Sequence, residues 1–435
     1  MVGRNTDAVL DKRKAEGCIF HFIRSHFITA HIDDVAIPSL EPQMSLFVNS
    51  SPVGGVEDSF FHDRAGQGFI TIITTHERFP CAGDFPVFTD DETCMLHRFA
   101  YTASQAFAVL EIIGRDDARL GGSIRVVKAA LEKMGRRLYA VGNRTHDKAV
   151  AFAEKYGVEK VYDTIDDMFL DEAVDIIYIT TPHNTHYEFM KKALEHGKHI
   201  FVEKSITLNS RELNEMQALA ESKGLIIGEA MTIWHMPIYK KLWEIVQSGQ
   251  LGKVQMITMN FGSFKEYNME NRFFNMHLAG GAMLDIGVYA LSIVRSFMDE
   301  KPEDIVSQWQ ASPTGSDEMA TILLKNGLGQ MATVALSMHS KQPKRAMISC
   351  EKAYIEIMEY PRADKAVIVD AETGVRTEIE AGSTAEALGY ELQDMEQAVV
   401  TGDVSGLKLS YSADVMESMT RLRKAWNMKY PGEQW

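Results

Sequence analysis

From about residue 107 the chain alternates short apolar runs with helical stretches, and this constrains the fold more than any other feature. The runs fall at 107–113, 137–141, 175–180, 199–202 and 225–227. Between them, Tyr187, Met190 and Leu194 stand at i, i+3, i+7, and Leu213, Met216 and Leu219 at i, i+3, i+6, the spacing of one helical face. The second helix opens with Asn209 and Glu212 at capping-box spacing. Strands that are apolar throughout, rather than at every second residue, suit a parallel sheet covered by helices on both faces. The spacing therefore predicts a doubly wound α/β domain over 106–234.

Beyond residue 235 strands follow one another with few helices between them, at 254–261, 305–310, 319–324, 330–338, 345–349, 354–358 and 366–369. Short polar turns such as Lys325-Asn326-Gly327 favour antiparallel pairing. Two closing helices carry Leu388, Leu392, Met395 and Val399, then Val415, Met419, Leu422 and Trp426, along a face. Residues 235–435 are thus expected to form an α+β domain, with packing of its C-terminal helices back on the first domain as one arrangement. Residues 1–105 differ: Lys12 and Lys14 are followed by no lysine until Lys128, whereas 23 stand from Lys128 to the end. Apart from a possible strand at 68–73, they read as an appended extension that contributes little to a site. Their histidines lack the close pairings of metal ligands, so no metal site is expected.

A net charge of -15 repels phosphate and argues against nucleic-acid partners. No run of about 18 uninterrupted apolar residues suggests a membrane span. Residues 1–14 mix charges of both signs without a signal-peptide core, which makes a cytoplasmic address the expectation. Four widely spaced cysteines read as reduced thiols.

Doubly wound sheets bind ligands at the carboxyl ends of their strands. After the first run come Gly121, Gly122, Ser123 and Ile124 at a helix start, where bare backbone amides can approach a pyrophosphate. The loop is not an intact GxGxxG, and an ordinary glycine turn is the competing reading. After the second run stand Asn143 and Arg144, with no carboxylate to grip a ribose. A guanidinium there suits a 2′-phosphate, favouring NADP over NAD, while a solvated arginine at a helix start is the alternative. The later strand ends carry Thr180, Thr181, Pro182, His183 and His186, then Glu203 and Lys204.

With Thr181-Pro182 and His186, Glu203-Lys204, Gly228-Glu229-Ala230-Met231 and the 280–289 segment GGAMLDIGVY, residues 118–435 resemble the glucose-fructose oxidoreductase, inositol dehydrogenase and rhizopine-catabolism superfamily. The resemblance implies an α/β Rossmann-type doubly wound parallel sheet plus an α+β C-terminal domain with a largely antiparallel open sheet. It also implies an NAD(P)-dependent oxidoreductase. Cofactor contacts would come from residues 121–124, Asn143, Arg144, Thr180, Thr181, Pro182, His183, His186, Glu203 and Lys204. Proline normally follows the Glu-Lys pair; Ser205 replaces it, so the turn presenting the lysine is expected to differ, with loss of a cis bond as one form of the difference. Asp285 and Tyr289, rather than Asp and His, are similar to the pattern of the dihydrodiol dehydrogenase and glucose-fructose oxidoreductase branch.

The side chains support that reading. Asp285 and Tyr289 at i, i+4 share a helix face. Hydride transfer at an alcohol needs a proton carrier: Tyr289 if Lys204 lowers its pKa, or Lys204 itself if desolvated. The expected catalytic residues are Lys204, Asp285 and Tyr289, acting on a secondary hydroxyl or ketone of a sugar, polyol or cyclic diol. A glycosidase that oxidises its sugar transiently through NAD and a non-catalytic dinucleotide or ligand binder are the rivals. Strand 330–338 is apolar on both faces, which predicts sheet-to-sheet packing in a homodimer or homotetramer.

Overall fold

The apolar runs that follow residue 106 assemble into a six-stranded, all-parallel sheet. The computed structural model describes residues 121–435, with side chains from 127, and five strands before them. Among those, β1 (Val35–Ser39) pairs antiparallel with β2 (Ser45–Val48), and β3 (Phe61–Asp63) with β4 (Ile70–Ile72), the last lying inside the segment expected as a strand. These four belong to a unit spanning Met1–Tyr101; all that follows concerns the second unit, Thr102–Trp435. The other expectations for the first hundred residues, their cysteines and most of their histidines included, lie outside the described residues.

The parallel sheet contains β5 (Phe107–Glu111), β6 (Ala140–Asn143), β7 (Lys160–Val161), β8 (Ile176–Ile179), β9 (His199–Glu203) and β10 (Ile227–Ala230), in the order β10-β9-β8-β5-β6-β7. The chain leaves β5 towards β6 and β7, then returns to β8 on its other side. The strand order thus reverses between β5 and β8, and doubly wound sheets bind ligands at the carboxyl ends of the strands on either side of such a point. β8 reads Ile-Ile-Tyr-Ile and is buried along its whole length, as a strand covered on both faces must be. Helix α1 (Gly121–Lys133) follows β5 and includes both glycines in its first turn, four residues earlier than the sequence pattern suggested. The helix Ser210–Lys223 is capped by Asn209, whose side chain accepts from the Glu212 amide, and it ends at Gly224 with φ 65°. Only half of the expected capping box forms, because the Glu212 carboxylate accepts from the Leu208 amide instead.

The second sheet has eight strands, β11 (Val254–Gly262), β12 (Asp304–Ala311), β13 (Asp317–Lys325), β14 (Met331–Ser337), β15 (Gln342–Cys350), β16 (Ala353–Met358), β17 (Lys365–Asp370) and β18 (Arg376–Glu380). Their order is β12-β13-β14-β11-β15-β16-β17-β18, antiparallel throughout except for the β11–β14 pair. β18 was not legible in the sequence: Arg-Thr-Glu-Ile-Glu is a charged, largely exposed edge with one apolar residue. On β14, Ala332, Val334 and Leu336 enter the core, whereas Met331 on the opposite face is exposed. The core face is covered by the helix Val288–Phe297 and by the closing helix Leu409–Ala425. Residues Met276–Phe297 are apolar and long enough to cross a membrane, yet they are 78% buried inside this fold. The closing segment reaches the first domain, where Asn209 donates to Glu433 at 2.9 Å and the Ser210 amide to Thr420 at 3.0 Å. Arg423 and Glu433, both fully buried, pair at 2.7 Å beneath this contact.

Candidate active site

The lysine loop follows β9, and a web of buried hydrogen bonds fixes its course. The Lys204–Ser205 peptide is cis, so exchange of proline for serine has not removed the cis bond, contrary to expectation. Ser205 is fully buried and donates from Oγ to the Leu284 carbonyl at 2.9 Å, a tie no proline could make. The buried Glu229 accepts from the Ile206 amide at 3.1 Å and from Ser412 Oγ at 2.5 Å; burial raises its pKa despite these bonds. Its motif was visible in the sequence, but its role as the anchor of the lysine loop was not.

Opposite this loop, Gly280 and Gly281 admit close backbone contact. A Cβ on Gly281, whose φ is 135°, would meet Asp317 Oδ1 at 2.0 Å. Asp317 in turn accepts from the Met283 amide at 2.5 Å, fixing the start of the next segment. Burial pushes the Asp317 carboxyl up to about 7. That segment, Met283–Gly287, is a π turn that continues into the α-helix Val288–Phe297. Asp285 and Tyr289 therefore do not share a plain α-helical face, since the wider turn changes their angular offset. Both nevertheless reach Lys204. Its ammonium donates to the Asp285 carbonyl at 2.7 Å and to Asp285 Oδ1 at 3.1 Å, and it lies 5.0 Å from the centroid of the Tyr289 ring. The lysine and aspartate side chains are only 12% and 16% exposed, so water screens their attraction poorly.

The charges follow from this packing. Burial favours a protonated Asp285, but Lys204 and Arg272 outweigh it and hold the carboxyl far below its ordinary range. Arg272 Nη2 stands 3.9 Å from Asp285 Oδ1, on a loop with no periodic signal to mark it in the sequence. Burial opposes charge on Lys204, yet Asp285 and Tyr289 raise its pKa above the usual lysine value, so it is an ammonium and not a neutral base. For Tyr289 burial wins: Lys204 lowers its pKa, but the net shift is upward. The expected lowering by Lys204 is present, but burial outweighs it because the surroundings disfavour a phenolate. Tyr289 is a protonated phenol at neutral pH, and its hydroxyl makes no hydrogen bond among the described residues.

The other expected site residues divide between surface, cleft and scaffold. Asn143 is buried and its Oδ1 accepts from the Thr145 amide at 2.7 Å, shaping the turn that leaves Arg144 exposed. Thr180 and Thr181 are buried at the end of β8, with Thr181 Oγ1 accepting from Thr185 at 2.6 Å, and Pro182 caps the following helix. His183 Nε2 lies 3.0 Å from the Lys204 carbonyl; burial and the Lys204 ammonium push its pKa down to about 3. His186 is fully buried, with Nε2 2.7 Å from the Thr181 carbonyl and Nδ1 3.0 Å from that of Ser205, so its ring bridges two strand-end loops. Glu203 accepts from Tyr178 at 2.8 Å, a partner the sequence did not reveal. Beyond Tyr289 and Phe261 opens a cavity of about 750 Å³ that also reaches Lys344, Pro361 and Arg362.

Two family models match this architecture: an oxidoreductase family with an NAD-binding Rossmann fold over residues 121–231, and the GFO/IDH/MocA C-terminal domain over 239–356, together more than half of the chain. The chain belongs to the GFO/IDH/MocA oxidoreductases. Among curated relatives in this family, the trans-1,2-dihydrobenzene-1,2-diol dehydrogenase of Xenopus laevis is 26% identical over 65% of this chain and 87% of its own length. The same-named protein of Oryctolagus cuniculus is 29% identical over 55% and 73%. Among solved structures, a 3-ketoreductase from Actinomadura kijaniata in complex with NADP and TDP-benzene superposes with TM-score 0.63 at 20% identity, covering 75% of this chain and all of its own. A UDP-N-acetylglucosamine 3-dehydrogenase from Acidithiobacillus ferrooxidans gives 0.62 at 16% identity, over 73% and 97%. Within the GFO/IDH/MocA fold, Lys204, Asp285 and Tyr289 thus meet where the lysine loop of the Rossmann domain touches the glycine-introduced helix of the second.

Proposed function

We propose that the protein is an NADP(H)-dependent oxidoreductase interconverting a secondary hydroxyl and a ketone on a sugar, polyol or cyclic diol. The observation that carries this reading is the charged, desolvated Lys204–Asp285 pair beside a neutral Tyr289 that borders a cavity.

The chain's donor set suits a dinucleotide. The first-turn amides of α1, Gly121 to Ile124, would hold the pyrophosphate, and the exposed Arg144, without an ion pair among the described residues, would take the 2′-phosphate. Thr180, Thr181, Pro182, His183, Glu203 and Lys204 would border the nicotinamide half. The bound cofactor supplies or accepts the hydride. Tyr289 donates its phenolic proton to the alkoxide oxygen that forms as a ketone is reduced, and Lys204 stabilises that charge at short range. Asp285 holds Lys204 in place and keeps it protonated. All these groups lie after Tyr101, so the first hundred residues contribute none of the assigned chemistry.

Assembly belongs to the same proposal. Met256, Leu323 and Met331 lie on one face of the eight-stranded sheet and are 43%, 47% and 41% exposed. Packing this face against a second copy would cover them, giving a homodimer or homotetramer. Light scattering should find the oligomer, and a monomer at micromolar concentration would remove this part. For the activity, fluorescence titration with NADPH and NADH is the test. NADPH should bind at least about tenfold tighter, the effect of roughly one phosphate contact. Equal affinities would withdraw Arg144 from its role.

A further inference from the structure

We infer that Arg362 forms an anion subsite, and that the substrate bears a carboxylate or phosphate in addition to the reacting carbinol. The inference rests on the functional reading above and names the substrate class of that same site. It begins with the charges around the cavity. Lys344 pairs with Glu359 at 2.5 Å, Arg376 with Glu356 at 3.2 Å, and Lys365 with Glu378 at 3.3 Å. Arg362 lines the same cavity and, among the described residues, its guanidinium has neither an ion pair nor a hydrogen bond. It is the lining cation whose charge remains available.

Its backbone is held firmly. Arg362 ends the short turn Tyr360–Arg362; Tyr360 is fully buried, and its carbonyl accepts from Tyr239 at 2.5 Å. The Arg362 carbonyl accepts from Thr384 Oγ1 at 2.7 Å. A fork of donors is thereby presented from a fixed base, the arrangement that suits planar or tetrahedral oxyanions. The same charge is felt by Tyr289, where it favours the phenolate, so the arginine lies within electrostatic range of the proton donor. The cavity of about 750 Å³ is within the range that encloses whole small-molecule ligands and has space for more than a bare diol. Finally, a protein of net charge -15 repels anions at long range. An unpaired cation at the site offsets that field locally, which a neutral polyol would not require.

The test uses the full chain with NADPH bound and three probes: glucose, glucuronate and a hexose monophosphate, titrated by calorimetry. At least one anionic probe should bind about 10- to 100-fold tighter than glucose, the range of one charge-assisted contact. Glucuronate and the phosphate ester distinguish the two oxyanions. Arg362→Leu should abolish the preference, and Arg362→Lys should retain part of it. Equal binding of all three probes, no binding of either anion, or a preference that survives Arg362→Leu would overturn the inference. NADPH titration of the same samples separates the two readings: failure to bind NADPH refutes the oxidoreductase proposal, whereas normal NADPH binding without anion preference refutes only the subsite.

Discussion

Replacing Tyr289 by phenylalanine isolates the proton from everything else the residue does. The ring would remain 6.3 Å from that of Phe261 and beneath the Lys204 ammonium, so packing and the cation–π contact survive. The lost hydroxyl has no hydrogen-bond partner among the described residues. The usual cost of deleting a bonded hydroxyl, about 0.5–1.5 kcal/mol, therefore does not apply, and the melting temperature should stay near wild type. Cofactor affinity should also hold, because no assigned dinucleotide contact is touched. The turnover number should fall by roughly 10²- to 10⁴-fold, the range of one general acid, with KM little changed. Stopped-flow absorbance of the nicotinamide band, in a single turnover that excludes product release, is the assay. A variant retaining more than about half the wild-type rate would refute the role, and the proton would then have to leave from Lys204 or another group. The pH profile gives a second view. Tyr289 has a raised pKa, so ketone reduction should be flat through neutral pH and decline only above the ordinary tyrosine value, as the proton donor is lost.

Lys204→Ala should lower kcat more than Tyr289→Phe does, since it removes charge stabilisation and leaves Asp285 a buried carboxylate without its ammonium; a milder effect in parallel kinetics would contradict this. Asp285→Asn should let the Lys204 pKa fall, because the carboxylate is the largest influence raising it, and the base limb of the rate profile should move to lower pH. Arg144→Ala should weaken NADPH binding by about 10- to 100-fold and leave NADH unchanged, as expected for one charge-assisted phosphate contact. Asp171, partly buried and bonded to Lys160 and Tyr162 at 2.7 Å each, has its pKa held down at about 2 against the opposing effect of burial. A depressed carboxylate stabilises the fold above its unfolded pKa and loses that contribution as pH falls through the folded value. Asp171→Asn should thus cost on the order of 2 kcal/mol at neutral pH and flatten the acid limb of the stability curve, read by urea melts.

The parallel sheet was legible because its strands are apolar on both faces and its helices show regular spacing, as at Leu213 and Met216. β18 was hidden because an exposed, charged edge strand carries no alternation. Lys204, Asp285 and Tyr289 were identifiable from residue type and motif, and they come together across 81 residues of sequence at the Lys204–Asp285 contact. Their electrostatics were not legible. The sign of the Tyr289 shift depends on burial outweighing a cation placed over the ring, which no spacing encodes. Nor does sequence show that both nitrogens of His186 face carbonyls of two separate loops, or that Arg272 approaches Asp285. The π turn escaped for a similar reason: Asp317, 32 residues after Asp285, takes the Met283 amide through a tertiary contact.

The central claim is net hydride transfer between a nicotinamide and a substrate carbon beside Tyr289 and Lys204. Its most direct test is the fate of the hydrogen itself. NADPH deuterated at its transferable position is incubated with the full chain and a panel of sugar-, polyol- and diol-derived ketones, and the alcohols formed are examined by mass spectrometry. The account predicts one deuterium per product alcohol, bound at the carbinol carbon, with incorporation slowed strongly by Lys204→Ala. No consumption of NADPH with any ketone, or cleavage of glycosides without net change in the cofactor, would contradict it.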